Sequence, residues 1–397
     1  MEKDVVVPSR TYFPNLDGLR FIGALIIIIL HIEAIKYQHT VHYIDFLRYY
    51  GYVGNNDVSL FFVLSGFLIT YLLLKEKKEN GNINLKAYYA RRTLRIWPLY
   101  FLIVILGFFV LPYFDNTLFS GEYSQNVYKH FWLNFIGCAL FLCPFVRTSG
   151  GLPQTIGPIW SVGVEEVFYL CWPLFLRKTR KYILLFIGVV ILVVLVRNGF
   201  LLYSKVFDFQ ITNKKIYRDI IDLIMRYKIS CMAIGGIGAY LVVFDKKKIL
   251  NIIYRKDFQW MTYIITIVLL LLKLGVKQYL RETFPSVFYE IYSVLFAIII
   301  VNLATNPKSV LKLDYKWMTY LGRVSYGLYM FHPMMRIFGL ELTNRIFKDT
   351  PPEWQMNVCL YFFTISFTIL ASIISYEFFE KRFLKFGKKF VVKMANR

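Results

Sequence analysis

Along the chain, long apolar runs alternate with short polar connections, many of them basic. The runs fall near residues 19–35, 57–74, 94–112, 130–145, 160–176, 182–203, 223–244, 259–276, 287–304, 317–339 and 356–379. Most are long enough for a helix rising ~1.5 Å per residue to cross hydrocarbon about 30 Å thick. They predict an all-α polytopic membrane protein, because a spanning backbone must satisfy its hydrogen bonds within each segment. If every run crossed, RKTRK at 177–181 and the tail EKRFLKFGKKFVVKMANR at 380–397 would lie opposite the basic loop at 75–92. Basic loops collect on the cytoplasmic side. Letting the run at 130–145 fail to cross places 75–92, 177–181, 245–248, 308–316 and the tail together. That run is short, polar at its start and followed by a Pro- and Gly-rich stretch, so an interfacial or re-entrant segment is expected. The pattern predicts about ten transmembrane helices with both termini cytoplasmic. They form a single integral membrane domain over 1–397, with 380–397 a basic cytoplasmic tail. Neither an internal repeat nor a sizeable soluble domain is visible.

Composition agrees. With 57% hydrophobic and 19% aromatic residues, a soluble chain of 397 residues would have too little polar surface, and the mean hydropathy is +0.49. The net charge of +22 resides in short loops and the tail; positive-inside bias accounts for it without a nucleic-acid partner. The opening MEKDVVVPSRTYFPN lacks a signal peptide's apolar core and cleavage site, so the first span is expected to remain. Cys138, Cys143, Cys171, Cys231 and Cys359 show no CxxC or metal-ligand spacing. They read as buried free thiols, and no metal is expected.

Ionisable residues inside apolar runs are costly unless they face protein or a wet cavity, so they read first as functional. The first run, LRFIGALIIIILHIEAI, begins with Arg20 and carries His31. Eleven helical steps of about 100° return to within roughly 20° of the start, so these two share one face about 16 Å apart. Ala24 and Ile27 lie between them, and simple satisfaction by neighbouring helices is the plain alternative. If the first helix enters from the cytoplasm, His31 lies in its outer half. Ser65 and Gly66 then fall near mid-membrane, Arg92 and Arg95 at the inner surface, and Glu165 and Glu166 in the outer third. In the run at 317–339, Arg323 is shallow on the inner side and His332 is deep, in the outer half. A histidine pair and a carboxylate pair are thus expected at one level, with an arginine pair below.

These residues sit in segments that resemble acyltransferase family 3, integral membrane enzymes that acylate carbohydrates and some other acceptors. The resemblance rests on LDG at 16–18 followed by Arg20-x10-His31, and on FFVLSGF at 61–67. It rests also on Arg92-Thr-Leu-Arg95 within YYARRTLRIWPLY, on WSVGVEEVFYL at 160–170, and on GRVSYGLYMFHP at 322–333. Singly each is weak; in this order along nearly the whole chain they are specific. The chain departs at Glu380-Lys381-Arg382-Phe383, where the family often has a Glu-x-Pro-Phe-like sequence, so no role is carried over there. The hydrolase-like domain fused to some members is not expected, since a basic tail follows Phe379.

The resemblance implies an acyl-CoA donor, most simply acetyl-CoA, taken from the cytoplasm, and a hydroxyl acylated on or toward the outer side of a bacterial inner membrane. The expected acceptor is a cell-surface polysaccharide or lipid-linked glycan. A small molecule such as a macrolide, or a longer acyl chain, is the alternative. Arg92 and Arg95 suit the phosphates of CoA, whose pantetheine arm would follow the face from Arg20 to His31. A positive-inside anchor is the plain alternative for the two arginines. His31 is the expected general base toward the acceptor hydroxyl. Glu165 or Glu166 would orient its imidazole; neighbours on a helix point about 100° apart, so one at most faces the site, and Glu166 is favoured. His332 would either shape the acceptor site and share the proton relay, or make a structural hydrogen bond before Pro333. Ser65 invites an acyl-serine intermediate, although Ser65 and Gly66 more simply permit close helix packing around the donor channel. A secondary transporter or flippase would also hold intramembrane Arg, His and Glu, yet should show paired broken helices and internal symmetry. A regulatory or scaffolding descendant of an acyltransferase would not need to keep Arg20, His31, Arg92 and Arg95. Membrane lipid is the remaining expected partner, and the oligomeric state stays open.

Overall fold

The structure, a computed structural model, describes residues 12–38, 58–114, 125–206, 214–275, 285–347 and 352–395, and contains no strand among them. In chain order α1 is Pro14–Gln38, α2 Ser59–Asn80, α3 Leu85–Ile105, α4 Gln125–Lys129, α5 Phe131–Ala139 and α6 Cys143–Thr148. There follow α7 Ile159–Lys178, α8 Tyr182–Val206, α9 Lys214–Arg226, α10 Ile229–Val243, α11 Lys247–Tyr254 and α12 Lys256–Gly275. The last are α13 Pro285–Thr305, α14 Lys316–Arg323, α15 Ser325–Ile346, α16 Glu353–Ile374 and α17 Lys381–Ala395.

Six helical stretches are long and apolar enough to cross a membrane: Pro14–Lys36, Ser59–Asn80, Leu85–Phe114, Ile159–Lys178, Tyr182–Tyr203 and Trp354–Val391. A seventh is added if Ile216–Val243 and Lys247–Tyr254, bent by 108°, form one broken span. Among the described residues the count is thus six or seven against the ten expected. The run at 317–339 is divided at Val324 into α14 and α15, which lowers the number of uninterrupted spans. The run at 130–145 is divided into α5 and α6, nine and six residues long. At ~1.5 Å per residue neither reaches across hydrocarbon. The outer helices turn apolar faces away from the bundle: Leu184, Ile187 and Leu195 on α8, Ile264 and Ile267 on α12. Such surfaces suit lipid. Cys138, Cys143 and Cys231 are buried free thiols, whereas Cys359 is only half-buried and Cys171 is exposed because it falls on the outward face of α7.

Charges at the helix ends do structural work. α2 stops at Gly81, whose φ of +73° favours a residue without a side chain. Asn84 Oδ1 then accepts from the Ala87 N–H at 3.0 Å and starts α3. Lys77 Nζ donates to the carbonyls of Leu176, Arg177 and Thr179 at 2.7, 3.0 and 2.8 Å, and Lys78 to that of Val243 at 2.8 Å. The ends of α7 and α10 carry orphaned carbonyls and the negative end of the helix dipole, so a lysine there satisfies both. Within the bundle, Arg197 of α8 is wholly buried and donates to Glu290 of α13 at 3.1 Å; Ser230 Oγ of α10 donates to the same oxygen at 2.9 Å.

Close packing depends on glycine. A methyl group on Gly66 would lie 2.0 Å from the Met232 carbonyl oxygen, and one on Gly235 2.1 Å from that of Val63, so α2 and α10 touch backbone to backbone. Gly322 stands in the same way against Asp17, tying α14 to the start of α1. In lipid, where hydrophobicity does not drive helices together, such close approach supplies the packing. Gly66→Val or Gly235→Val should therefore destabilise the protein by about 1–3 kcal/mol. Gly188→Ala, where nothing lies within 4 Å, should not. Thermal unfolding of the detergent-purified variants checks this, and a Gly66→Val protein as stable as wild type would contradict it.

Candidate active site

α1 and α15 come together where His31 faces His332, with ring centroids 5.0 Å apart and planes inclined at 53°. Both Nδ1 atoms are committed to backbone: that of His31 to the Ile27 carbonyl at 2.9 Å, that of His332 to the Tyr329 carbonyl at 2.8 Å. A carbonyl only accepts, so each Nδ1 carries the hydrogen and each neutral ring keeps its lone pair at Nε2. Pro333 explains the second bond. Lacking an N–H, it leaves the Tyr329 carbonyl without its helical donor, and His332 takes that place. The buried Nε2 of His332 has no hydrogen-bond partner. Arg336 donates to the His31 carbonyl at 3.2 Å, and the Tyr329 hydroxyl pairs with Ser161 Oγ of α7 at 2.9 Å. His31 is half-buried and keeps accessible surface.

A second group gathers toward the N-terminal end of α1. There Arg20 bonds Asp17 at 2.7 Å, and Arg20, Arg92, Asp17 and Tyr169 are the electrostatic neighbours of Arg95. The Arg92 guanidinium lies over the Tyr169 ring, 5.3 Å from its centroid. Tyr169 OH donates to Glu165 Oε2 at 2.7 Å and lies 3.0 Å from Ser65 Oγ, which donates to Oε1 at 3.2 Å. Glu166 points elsewhere: it is buried, accepts from Trp97 Nε1 at 3.3 Å through Oε2, and leaves Oε1 without a partner. Arg95 is exposed and Glu165 half-buried, so this group is reached from outside the bundle.

The residues singled out from sequence thus gather in two groups and not at one level. Glu165 has Arg92 and Arg20 as charged neighbours, and both histidine rings are oriented by carbonyls of their own helices rather than by a glutamate. The register of α7 is the cause. Ser161 meets Tyr329 beside the histidines, and Glu165 follows on the same face one turn, ~6 Å, further along. Between Arg20 and His31, Ala24 and Ile27 are only 1% and 2% exposed, so that stripe of α1 is packed shut. Gly66 faces α10, while Ser65 beside it faces Glu165.

Sequence reading passed over Trp97, Ser161, Tyr169, Tyr329, Arg336 and a buried Glu33–Lys36 pair at 2.6 Å, whose Glu33 also accepts from Tyr361 at 2.6 Å. Glu33 and Arg336 carry the signal that singled out His31, an ionisable side chain in an apolar run. Tyr169 and Tyr329 carry none, being two of 30 tyrosines.

A family model described as an acyltransferase domain matches residues 13–377. Among curated proteins, the peptidoglycan O-acetyltransferase OatA of Listeria monocytogenes is 24% identical over 396 residues, 96% of this chain and 57% of that protein. A Staphylococcus aureus protein with a provisional O-acetyltransferase name is 27% identical over 388 residues, 95% of this chain and 58% of its own length. YrhL of Bacillus subtilis, named provisionally as a peptidoglycan O-acetyltransferase, is 24% identical over 389 residues, 93% of this chain and 54% of its own length. The chain spans a little over half the length of these relatives. No solved structure matches it.

Proposed function

The chain belongs to acyltransferase family 3, and from that membership we propose that it carries an acetyl group from cytoplasmic acetyl-CoA to a hydroxyl of a cell-wall glycan on the outer side of a bacterial inner membrane. The peptidoglycan O-acetyltransferase name of the Listeria relative supports the acceptor class. In this reading the chain is one integral membrane domain of about ten spans with both termini cytoplasmic, which puts the arginine group inside and the histidine group outside.

The observation that carries the proposal is the placement of the two groups one helical turn apart along α7, with His31 held so that Nε2 is its free basic nitrogen. Arg92 and Arg95 hold the CoA phosphates, guanidinium forks being matched to phosphate oxygens. Arg20 extends this positive mouth. The pantetheine arm passes beside Ser65 and Glu165, since the α1 stripe is packed. Ser65 lines this path as a hydrogen-bond donor to Glu165, without forming an acyl ester. Glu165 and Glu166 shape the donor side; neither orients His31.

At the outer group, Nε2 of His31 takes the proton of the acceptor hydroxyl as its oxygen attacks the thioester carbonyl. The carbon–sulfur bond then breaks, the imidazolium returns the proton to the leaving thiolate, and the products are the acetyl ester and CoA thiol. Nε2 of His332 accepts a hydrogen bond from the acceptor.

Removing the side chain of Arg92 or Arg95 should weaken acetyl-CoA binding by about 1.5–3 kcal/mol, the scale of a charge-assisted hydrogen bond. Lysine should rescue only part, because it keeps the charge and loses the fork. Equilibrium binding to purified, correctly inserted variants checks this, and unchanged affinity would leave both as topological anchors.

His31→Gln should keep acetyl-CoA binding and lose about a hundredfold to ten-thousandfold in turnover. The wild-type rate should fall in acid as the imidazole gains a proton, and the variant should lose that dependence. Near-normal turnover in the variant would end the base assignment.

A further inference from the structure

Lysine and arginine are depleted on the outer side of membrane proteins, so guanidinium groups gathered beside the histidines ask for a reason. In the orientation proposed above, Arg147 at the end of α6 and Arg226 at the end of α9 both lie there, next to Arg336. Arg147 reaches the Gly157 carbonyl through one long bond of 3.4 Å. Its electrostatic neighbours are Arg226, Tyr329, Asp222 and Arg336, and it acts in turn on His31. Arg226 lies over the Trp160 ring, 5.1 Å from its centroid, and pairs with Asp222 at 2.7 Å. Thr148 Oγ1 donates to the same Asp222 oxygen at 3.3 Å.

Asp222 is therefore engaged by Arg226 and Thr148, while Arg147, with one long bond of its own, has Arg226 and Arg336 as like-charged neighbours. Like charges held side by side repel, and an anion placed between them relieves that repulsion. Arg147 is exposed, so a ligand can reach it. A second, independent observation is His332 Nε2, buried beside His31 without a hydrogen-bond partner; carrying a lone pair, it takes a donor such as a hydroxyl of the same ligand and leaves the anion to the guanidinium groups. A buried polar atom left unpaired awaits a group from outside the chain.

We propose that Arg147, assisted by Arg226, selects the acceptor by taking an anionic group, a carboxylate or a phosphate, carried by the glycan whose hydroxyl reaches His31. This rests on the acceptor side assigned under the proposed function. A guanidinium fork binds either anion through paired N–H bonds, and the positive outer mouth attracts such a glycan from solution.

The test is equilibrium binding, without acetyl-CoA, to the full chain in lipid nanodiscs. Three N-acetylglucosamine tetrasaccharides serve as probes: neutral, ending in a carboxylate, and ending in a phosphate. At least one anionic probe should bind about tenfold or more tightly than the neutral one, and Arg147→Gln should bring them within about twofold. Arg147→Lys should keep part of the preference, and salt should erode it in wild type. Carboxylate preference points to an acidic sugar, phosphate preference to a phosphorylated or lipid-linked glycan. Equal binding of all three probes, a preference that survives Arg147→Gln in protein that still binds acetyl-CoA, or a preference indifferent to salt would overturn the proposal. Failure of the acetyl-transfer reading shows separately, as wild-type protein that releases no CoA from acetyl-CoA with any probe.

Discussion

Where water is excluded, an ionisable side chain is tolerated only if the protein supplies its partner, and the bundle is arranged around that requirement. Glu33, Lys36 and Tyr361 pair with one another between α1 and α16, and Arg197 and Ser230 meet on one oxygen of Glu290 between α8, α10 and α13. Breaking such a buried pair costs about 3–5 kcal/mol, far more than the ~1 kcal/mol or less of an exposed pair. The Arg255–Asp257 bridge, both side chains 66% exposed, therefore matters little to the fold beside these internal ties. The same requirement fixes the histidines: each ring spends Nδ1 on a carbonyl of its own helix and so presents Nε2.

Pairing also separates the two halves of the site. Glu165 is taken up by Ser65 and Tyr169, with Arg92 lying over the tyrosine ring. The carboxylates therefore stay with the arginines and cannot serve the histidines. α7 bridges the groups through Ser161 and Glu165, and α15 does so through Tyr326, which donates to the Ile96 carbonyl on α3 at 3.2 Å, and Tyr329. The arginine and histidine groups are thus held by the same two helices about one turn apart, with the packed α1 stripe between them acting as a wall.

Hydropathy was enough to read the all-helical architecture and the break of the run at 130–145, because spacing of apolar residues and a Pro- and Gly-rich flank report local backbone directly. Arg20, His31, Ser65, Arg92, Glu165 and His332 were legible as ionisable or small residues in unexpected places. Their grouping was not. It follows from the register of α7 against α2 and α15, set by backbone contacts at glycines and by side-chain pairs between residues about 100 positions apart, such as Ser65–Glu165. Helical periodicity within a run carries no information on the rotation or depth of one helix against another. Arg147 was hidden for a related reason: it lies in the last turn of a short helix, where a basic residue looks like ordinary surface.

The central claim is that donor and acceptor enter from opposite faces and meet between the two groups. Its most direct measurement uses sealed proteoliposomes of known orientation, set by labelling a single cysteine in the 75–92 loop. Acetyl-CoA is enclosed on one side and a glycan acceptor supplied on the other. The expected result is acetylated glycan only when acetyl-CoA shares the side of that loop and the acceptor lies opposite. Acetylation that requires both substrates on one side, or that proceeds with the donor opposite the loop, would contradict the account.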